Sequence, residues 1–362
     1  MKKISVSIRD IFWKEDPLGF FTIRPFVKEG VIRVRYYQNH QLKYIFSGQT
    51  PEQLYHKIGS MGLISRFEHA AYLGKELEKA HLAMQYQLSY IQDEPLVLEK
   101  KALKKRERRI VSLAPSNTEI LYALGRGKNI IATTRFCDYP PDAKKKTKIG
   151  GWLDIDLLQV KKMNADLVLT STSVQEKIVQ EARRLNLNLV HVDPRRLQEI
   201  YDSILTLGEL TEKHLAAEKL VEDMEKKIEN ISRKALPGKK PRVYIEEWHK
   251  PPTGSGNWVP ELVALAGGKY ELISPGKLSK MVTTAEVKNY NPEIIILSLC
   301  GFGKKVNVEI ITKREGWEQL NAVRTKRVYA IDDSLLNRPG PRLVQGLQFL
   351  VEKINLYKRG KK

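Results

Sequence analysis

The chain carries two cysteines in 362 residues. Cys137 and Cys300 lie far apart, so no disulfide framework is implied, and the count is compatible with a reducing compartment. Long apolar runs are missing too: no stretch approaches the roughly 18 consecutive apolar residues that a membrane-crossing helix needs. In the opening "MKKISVSIRD", Arg9 and Asp10 interrupt the apolar stretch before the roughly 7 to 15 residues of a secretory core accumulate. No cysteine stands near them to carry a lipid. The expected location is therefore the cytoplasm, with an extracytoplasmic one as the alternative. Catalytic signatures are also lacking. There is no G-x-S-x-G elbow, P-loop or H-E-x-x-H, and the pairs Gly150-Gly151 and Gly267-Gly268 lack dinucleotide spacing. The expectation is binding without catalysis, with the amino-terminal region left open.

What is abundant is positive charge. Lys and Arg number 62 against 42 Asp and Glu, a formal charge of +20. Most of the basic residues alternate with Glu, as in "VEDMEKKIENISRK" from Val221, the pattern of a solvated helix face. With no nucleic-acid motif beside it, the excess reads as a generally basic surface. Apolar and charged fractions of 42% and 29% are those of a soluble globular protein, and the length suits two or three domains.

Residues 1–98 read as a small α+β domain. "GVIRVRYY" from Gly30 alternates like a half-exposed strand and "LKYIFSG" from Leu42 like its partner. Thr50, Pro51 and Gln53 mark a helix start with a capping box, and Ser65 to Glu68 marks a second. Residues 99–108, "EKKALKKRER", are a basic linker. From Arg109 the rhythm becomes strand, turn, helix: "RIVSLA", a capping box from Ser116 to Glu119, "TEILYAL", then "NIIATT", "ADLVLTST" and "NLVHVD" with helical segments between. Such alternation predicts a mostly parallel sheet covered on both faces. Residues 197–235 are helical in period without proline, one helix of about 50 Å if unbroken. A second α/β pattern fills 241–357 and echoes the first in order, "RIVSLAP" by "RVYIEEW" and "NADLVLTS" by "NPEIIILS". The predicted fold is thus α/β: two Rossmann-like lobes, 109–196 and 241–357, bridged by one long helix.

The stretches "SLAPSNTEILYALG", "CDYPPDA", "KIGGWLDIDLLQVKKMNADLVL", "PELVALAGG", "PEIIILS" and "RPGPRLVQGL" occur in an order that resembles the substrate-binding proteins of cobalamin and iron-siderophore ABC importers. The resemblance spans about residues 109–354 and is strongest with the cobalamin branch. It implies a small-molecule metal chelate held between two lobes, cobalamin or a related corrinoid as the ligand, and an ABC permease as a partner.

A corrin is a broad apolar disc with polar edges, so its site needs aromatic surfaces and a few hydrogen-bonding groups. In open α/β sheets ligands sit beyond the carboxyl ends of strands. The turns there supply Ala114, Pro115 and Ser116; Asp138 and Tyr139; Gly151 and Trp152; Trp248 and Trp258; and Phe302. Arg338 and Arg342 bracket a helix start, where they either pair with an acidic ligand edge or join the lobes. No metal site is expected; His249 is a weak candidate for an axial ligand, and Trp317 reads as structural.

Unlike that family, the chain has a domain in front. "DPLGFF" from Asp16, "GLISRFEHAAYLGKELEKA" from Gly62 and "YIQDEP" from Tyr90 resemble a small uncharacterised domain of archaea and bacteria. Ser65, His69, Tyr72 and Glu76 share one helix face there. They either bind a small polar ligand, His69 being a weak metal candidate, or satisfy buried partners. Three readings follow: an intracellular corrinoid-binding protein, the exported receptor of an importer, or an enzyme of corrinoid salvage or one-carbon metabolism that uses the prefix.

Overall fold

The computed structural model describes residues 20–26, 29–38, 41–61, 63, 67–85 and 108–360. It divides into two units, Met1–Glu107 and Arg108–Lys362, and each is taken by itself below. The expected linker, apart from Arg108, and the capping box from Ser65 lie outside the described residues.

In the first unit, strands β1 (Phe20–Phe26), β2 (Val31–Gln38) and β3 (Gln41–Gly48) form an antiparallel sheet in sequence order. Ile32, Val34 and Tyr36 recur at every second position and are buried, as the alternation predicts. Helix α1 (Pro51–Ser60) starts where Thr50 Oγ1 accepts from the Gln53 N–H. The Gln53 side chain accepts from the Gln49 N–H, so the reciprocal half of the expected box reaches one residue further back. Leu54 and Ile58 of α1 and Leu73 and Leu77 of α2 (Phe67–Gln85) close the core over the sheet.

In the second unit, β4 (Ile110–Ser112), β5 (Ile130–Thr133), β6 (Thr147–Lys148), β7 (Leu167–Ser171) and β8 (Leu189–Val192) make an all-parallel sheet ordered β6-β5-β4-β7-β8. Every residue of β7 is buried, the apolar Leu167, Val168 and Leu169 and also the polar Thr170 and Ser171 at its carboxyl end. Helices α3 (Pro115–Ala123), α4 (Leu157–Lys162) and α5 (Glu176–Arg184) are the crossovers of this lobe.

The second lobe repeats the plan with an altered edge. Strands β9 (Val243–His249), β12 (Ile294–Leu297) and β13 (Val328–Ala330) are parallel, and β10 (Pro252–Gly254) and β11 (Lys280–Met281) add antiparallel strands outside β9. Around them stand α8 (Val259–Leu265), α9 (Thr284–Tyr290), α10 (Glu309–Thr312), α11 (Asn321–Arg324) and α12 (Leu343–Arg359). Trp317 is fully buried edge-on to Tyr244, a structural role as expected.

The connecting helix departs from expectation. Residues 197–235 form two helices, α6 (Leu197–Leu210) and α7 (His214–Ser232). Glu212 turns the chain at φ 56°, and the Lys213 N–H donates back to the Gly208 carbonyl at 2.7 Å. Gly208 makes the reversal possible, because a Cβ there would stand 2.3 Å from the Ala217 Cβ. The Leu210 and Thr211 carbonyls, left over at the helix end, accept from Arg108 and Arg126. Neither the close packing nor these distant caps leaves a mark on helical periodicity.

Candidate functional site

Segments that follow the parallel strands of the two lobes meet where Arg338 and Arg342 reach Glu119 and Asp138, and the candidate site is built from these segments. In the first lobe, α3 begins directly after β4, with Ala114 as N-cap and Pro115 in its first turn. The expected capping box from Ser116 to Glu119 does not form: Ser116 is inside the helix, and the Glu119 carboxylate faces the second lobe instead. Ala114, Pro115 and Ser116 are buried, so they back the cleft and do not line it. Asn117 Nδ2 donates to the Thr170 carbonyl and Thr118 Oγ1 to Ser112 Oγ, which ties α3 to the ends of β7 and β4.

Glu119 receives Arg338 Nη1 at 3.0 Å and Arg342 through two bonds of 2.8 and 2.6 Å. Arg338 Nη1 also donates to Asp138 Oδ1 at 2.6 Å, and the Arg342 guanidinium lies 4.1 Å from the centre of the Tyr139 ring. Burial alone would raise the Asp138 carboxyl, but the hydrogen bond and charge of Arg338 outweigh it and hold the group below its usual value. Both arginines are thereby committed to the lobe-to-lobe alternative. Beside them a cavity of about 380 Å³ opens at the seam, with Asp138, Tyr139, Lys304 and Arg342 among its walls.

Gly151 and Trp152 occupy a tight loop. A Cβ on Gly151 would stand 2.3 Å from Asp154 Oδ1, and the Gly151 N–H donates to that same oxygen. Trp152 is half-buried, and its carbonyl accepts from Gln175 Nε2. Gln175 is fully buried, donates also to the Leu113 carbonyl and accepts from the Ser171 N–H. It braces the end of β7, the segment after β4 and the Trp152 loop at once, a role that a lone glutamine in a helical segment does not signal.

In the second lobe Trp248 is 44% exposed and Phe302 is 37% exposed. Trp248 Nε1 donates to the Lys250 carbonyl, which orients its ring over the turn. His249 meets Phe302 edge-on at 5.4 Å. Trp258 is the exception among the aromatic candidates: it is 3% exposed, packs in the core, and its Nε1 donates to the Leu336 carbonyl at 2.8 Å. It belongs to the scaffold and not to the cleft surface.

His249 finds no set of ligating neighbours, since among the described residues no three His, Cys, Asp or Glu side chains gather to hold a metal ion. In the first unit Ser65 lies outside the described residues, as do the side chains of His69 and Tyr72. Glu76 is fully buried, with Lys79 Nζ 4.0 Å away. A groove of about 400 Å³ lies over Leu77 between α1 and α2, edged by Glu52, Tyr55, His56 and Glu78.

Known proteins resemble this arrangement. The uncharacterized ABC transporter substrate-binding lipoprotein YvrC of Bacillus subtilis is 32% identical over 262 residues, 70% of this chain and 81% of that protein. The vitamin B12-binding protein of Photorhabdus laumondii is 25% identical over 251 residues, 68% of this chain and 88% of its own. Among solved structures, the periplasmic heme-binding protein RhuT from Roseiflexus sp. RS-1 superposes with a TM-score of 0.61 at 23% identity, covering 70% of this chain and 99% of that one. Residues 15–93 match a second family model, described as PterinBD-DUF4346.

These relatives are binding proteins, in agreement with the expectation of binding without catalysis. The cytoplasmic expectation does not hold. The relatives are a lipoprotein and periplasmic proteins, so the location that goes with this fold is extracytoplasmic. Residues 110–335 match the model described as periplasmic binding protein, and with two α/β lobes that meet through segments following their parallel strands, the chain belongs to that family of substrate-binding proteins.

Proposed function

We propose that the second unit holds a corrinoid of the cobalamin class between its lobes and delivers it to the permease of an ABC importer. The observation that carries this reading is the aromatic lining. Tyr139 and Trp152 of the first lobe and Phe302 of the second follow strand ends, and Trp248 stands at the end of β9. Tyr139, Trp248 and Phe302 are substantially exposed, although the Arg342 guanidinium lies over Tyr139 and His249 meets Phe302 edge-on. A flat apolar disc fits such a surface, and amide groups at its edge suit the carboxylate, imidazole and hydroxyl groups between the rings. The B12-binding relatives support the same ligand class. Gly151 serves by keeping the Trp152 loop tight. No helix among the described residues is long and apolar enough to cross a membrane, so transport requires a separate permease.

The test is titration of the purified protein with cyanocobalamin, cobinamide, haem and a ferric siderophore, followed by visible absorbance and calorimetry. A corrinoid is expected to bind with a dissociation constant in the micromolar range or below. Absence of binding by both corrinoids at micromolar concentration removes the ligand assignment.

A further inference from the structure

Strand β9 sends alternate side chains to opposite faces, and its two adjacent glutamates meet different fates. Glu246 is fully buried and answered: Arg314 grips both its oxygens at 2.7 and 2.6 Å, and the Tyr244 hydroxyl adds a third bond. Glu247, half-buried at the carboxyl end of the strand, takes the other face. The groups around it are Ser255 after β10, Ser279 before β11, Cys300 after β12 and Tyr270 between α8 and β11. None of these is a cation, and no ion pair engages the Glu247 carboxyl. Burial accordingly pushes it up to about 7, with the Ser279 and Ser255 hydroxyls pulling part of the way back. One more buried polar atom nearby lacks a protein partner within hydrogen-bonding distance: Nδ1 of His249, two residues along the strand.

The arginines around the cleft present the opposite picture, since each already has a carboxylate. Arg338 and Arg342 hold Glu119, Arg135 holds Asp154, Arg195 holds Asp193, and Arg196 holds Glu261. A ligand with a carboxylate edge would have to displace a protein carboxylate to gain a guanidinium. It would also bring its charge toward Glu247, where no cation compensates. A ligand with amides at its edge meets neither obstacle.

We propose that this cleft selects a chelate whose edge carries uncharged amides over one whose edge carries carboxylates, and that Glu247 is the residue that reads that edge. Ionised, its carboxylate accepts from an amide N–H; protonated, its hydroxyl donates to an amide carbonyl. The inference rests on the corrinoid reading above and adds a reason for it that does not come from the aromatic rings.

The test compares cyanocobalamin with the corrinoid in which one side-chain amide has been hydrolysed to a carboxylate, with haem as a third probe. Calorimetry is run at pH 6 and pH 8 on the wild-type chain and on Glu247→Gln, which keeps the shape and removes the charge. The wild type is expected to prefer the amide form by about tenfold or more at pH 8 and by less at pH 6. In Glu247→Gln the preference should shrink to within about threefold at both pH values, while cyanocobalamin still binds. Equal wild-type affinities for the two corrinoids, or a preference unchanged in Glu247→Gln, overturn this inference and leave the corrinoid reading standing. Tighter binding of haem than of either corrinoid, or binding of no corrinoid at all, overturns both.

Discussion

Arg342 of the second lobe donates two hydrogen bonds to Glu119 of the first, across 223 residues of sequence. Arg338 adds a third donor to the same carboxylate and reaches on to Asp138. The lobes are thus joined at the seam by two guanidiniums set between two carboxylates, and Glu119 is 4% exposed. Removing one member of so buried a cluster leaves the others desolvated without compensation, a cost of about 3 to 5 kcal/mol for the pair. Glu119→Ala should therefore lower the unfolding free energy by roughly that amount and increase the radius of gyration in solution scattering. The double variant Glu119→Ala/Arg342→Leu should recover part of the loss, as measured by urea unfolding. An additive double variant would show that the two residues are not coupled.

The tryptophans separate into two kinds. Trp258 fills the core, so Trp258→Ala should cost about 3 to 5 kcal/mol in a thermal or denaturant melt. Trp248 and Trp152 stand at the cleft, and their replacement by Ala should leave the melting temperature within a few degrees while weakening corrinoid binding about tenfold or more. If Trp248→Ala and Trp152→Ala bind cyanocobalamin as tightly as the wild type, the aromatic clamp is not where the ligand sits.

The difference between these tryptophans also marks the limit of what the sequence discloses. Alternation of short apolar strands with amphipathic helices was legible because parallel strands buried on both faces leave continuous apolar runs, as in "IIIL" of β12. Trp258 was misread because its Gly- and Pro-rich surroundings resemble a binding loop, and what fixes it is a carbonyl 78 residues away. Glu119 was misread for a similar reason. Ser116 and Glu119 have the spacing of a capping box, but the helix already starts at Pro115, and the carboxylate answers arginines more than 200 residues further on. Gln175 gave no signal, since its three partners, Leu113, Trp152 and Ser171, come from three separate segments of the chain. Local chemistry shows in a local pattern; a side chain whose partners are distant does not.

Gly208 offers a test of the reversal between α6 and α7. Gly to Ala within an exposed helix normally gains about 1 kcal/mol from propensity. Here the new Cβ would meet the Ala217 Cβ at 2.3 Å, on a neighbouring helix whose backbone must move to relieve it. The overlap should win, so Gly208→Ala is expected to destabilise by about 1 to 3 kcal/mol. Gly208→Ala combined with Ala217→Gly should restore most of the loss in chemical unfolding. A stabilised Gly208→Ala would mean that the two helices do not approach this closely.

Two carboxyls with opposite shifts give the pH dependence of stability a particular shape. Burial alone would raise Glu293, but the Tyr357 hydroxyl, the Arg242 N–H and the charges of Arg242 and Lys239 outweigh it and hold the group at about 2. The unfolded chain binds that proton more readily than the native one, so the contribution of Glu293 is present above about 4.5 and lost as pH falls toward 2. Glu247 has the reverse sign. Its native carboxyl keeps a proton up to about 7 while the unfolded one releases it near 4.5, so between those values the native state binds more protons and stability falls as pH rises. Glu247→Gln removes that slope and should be more stable relative to wild type at pH 8 than at pH 4.5; Glu293→Gln should be less stable than wild type at pH 6, with the gap closing toward pH 2. Denaturant melts across pH 3 to 8 measure both, and a Glu247→Gln profile parallel to the wild type would mean that Glu247 ionises alike in the folded and unfolded chains.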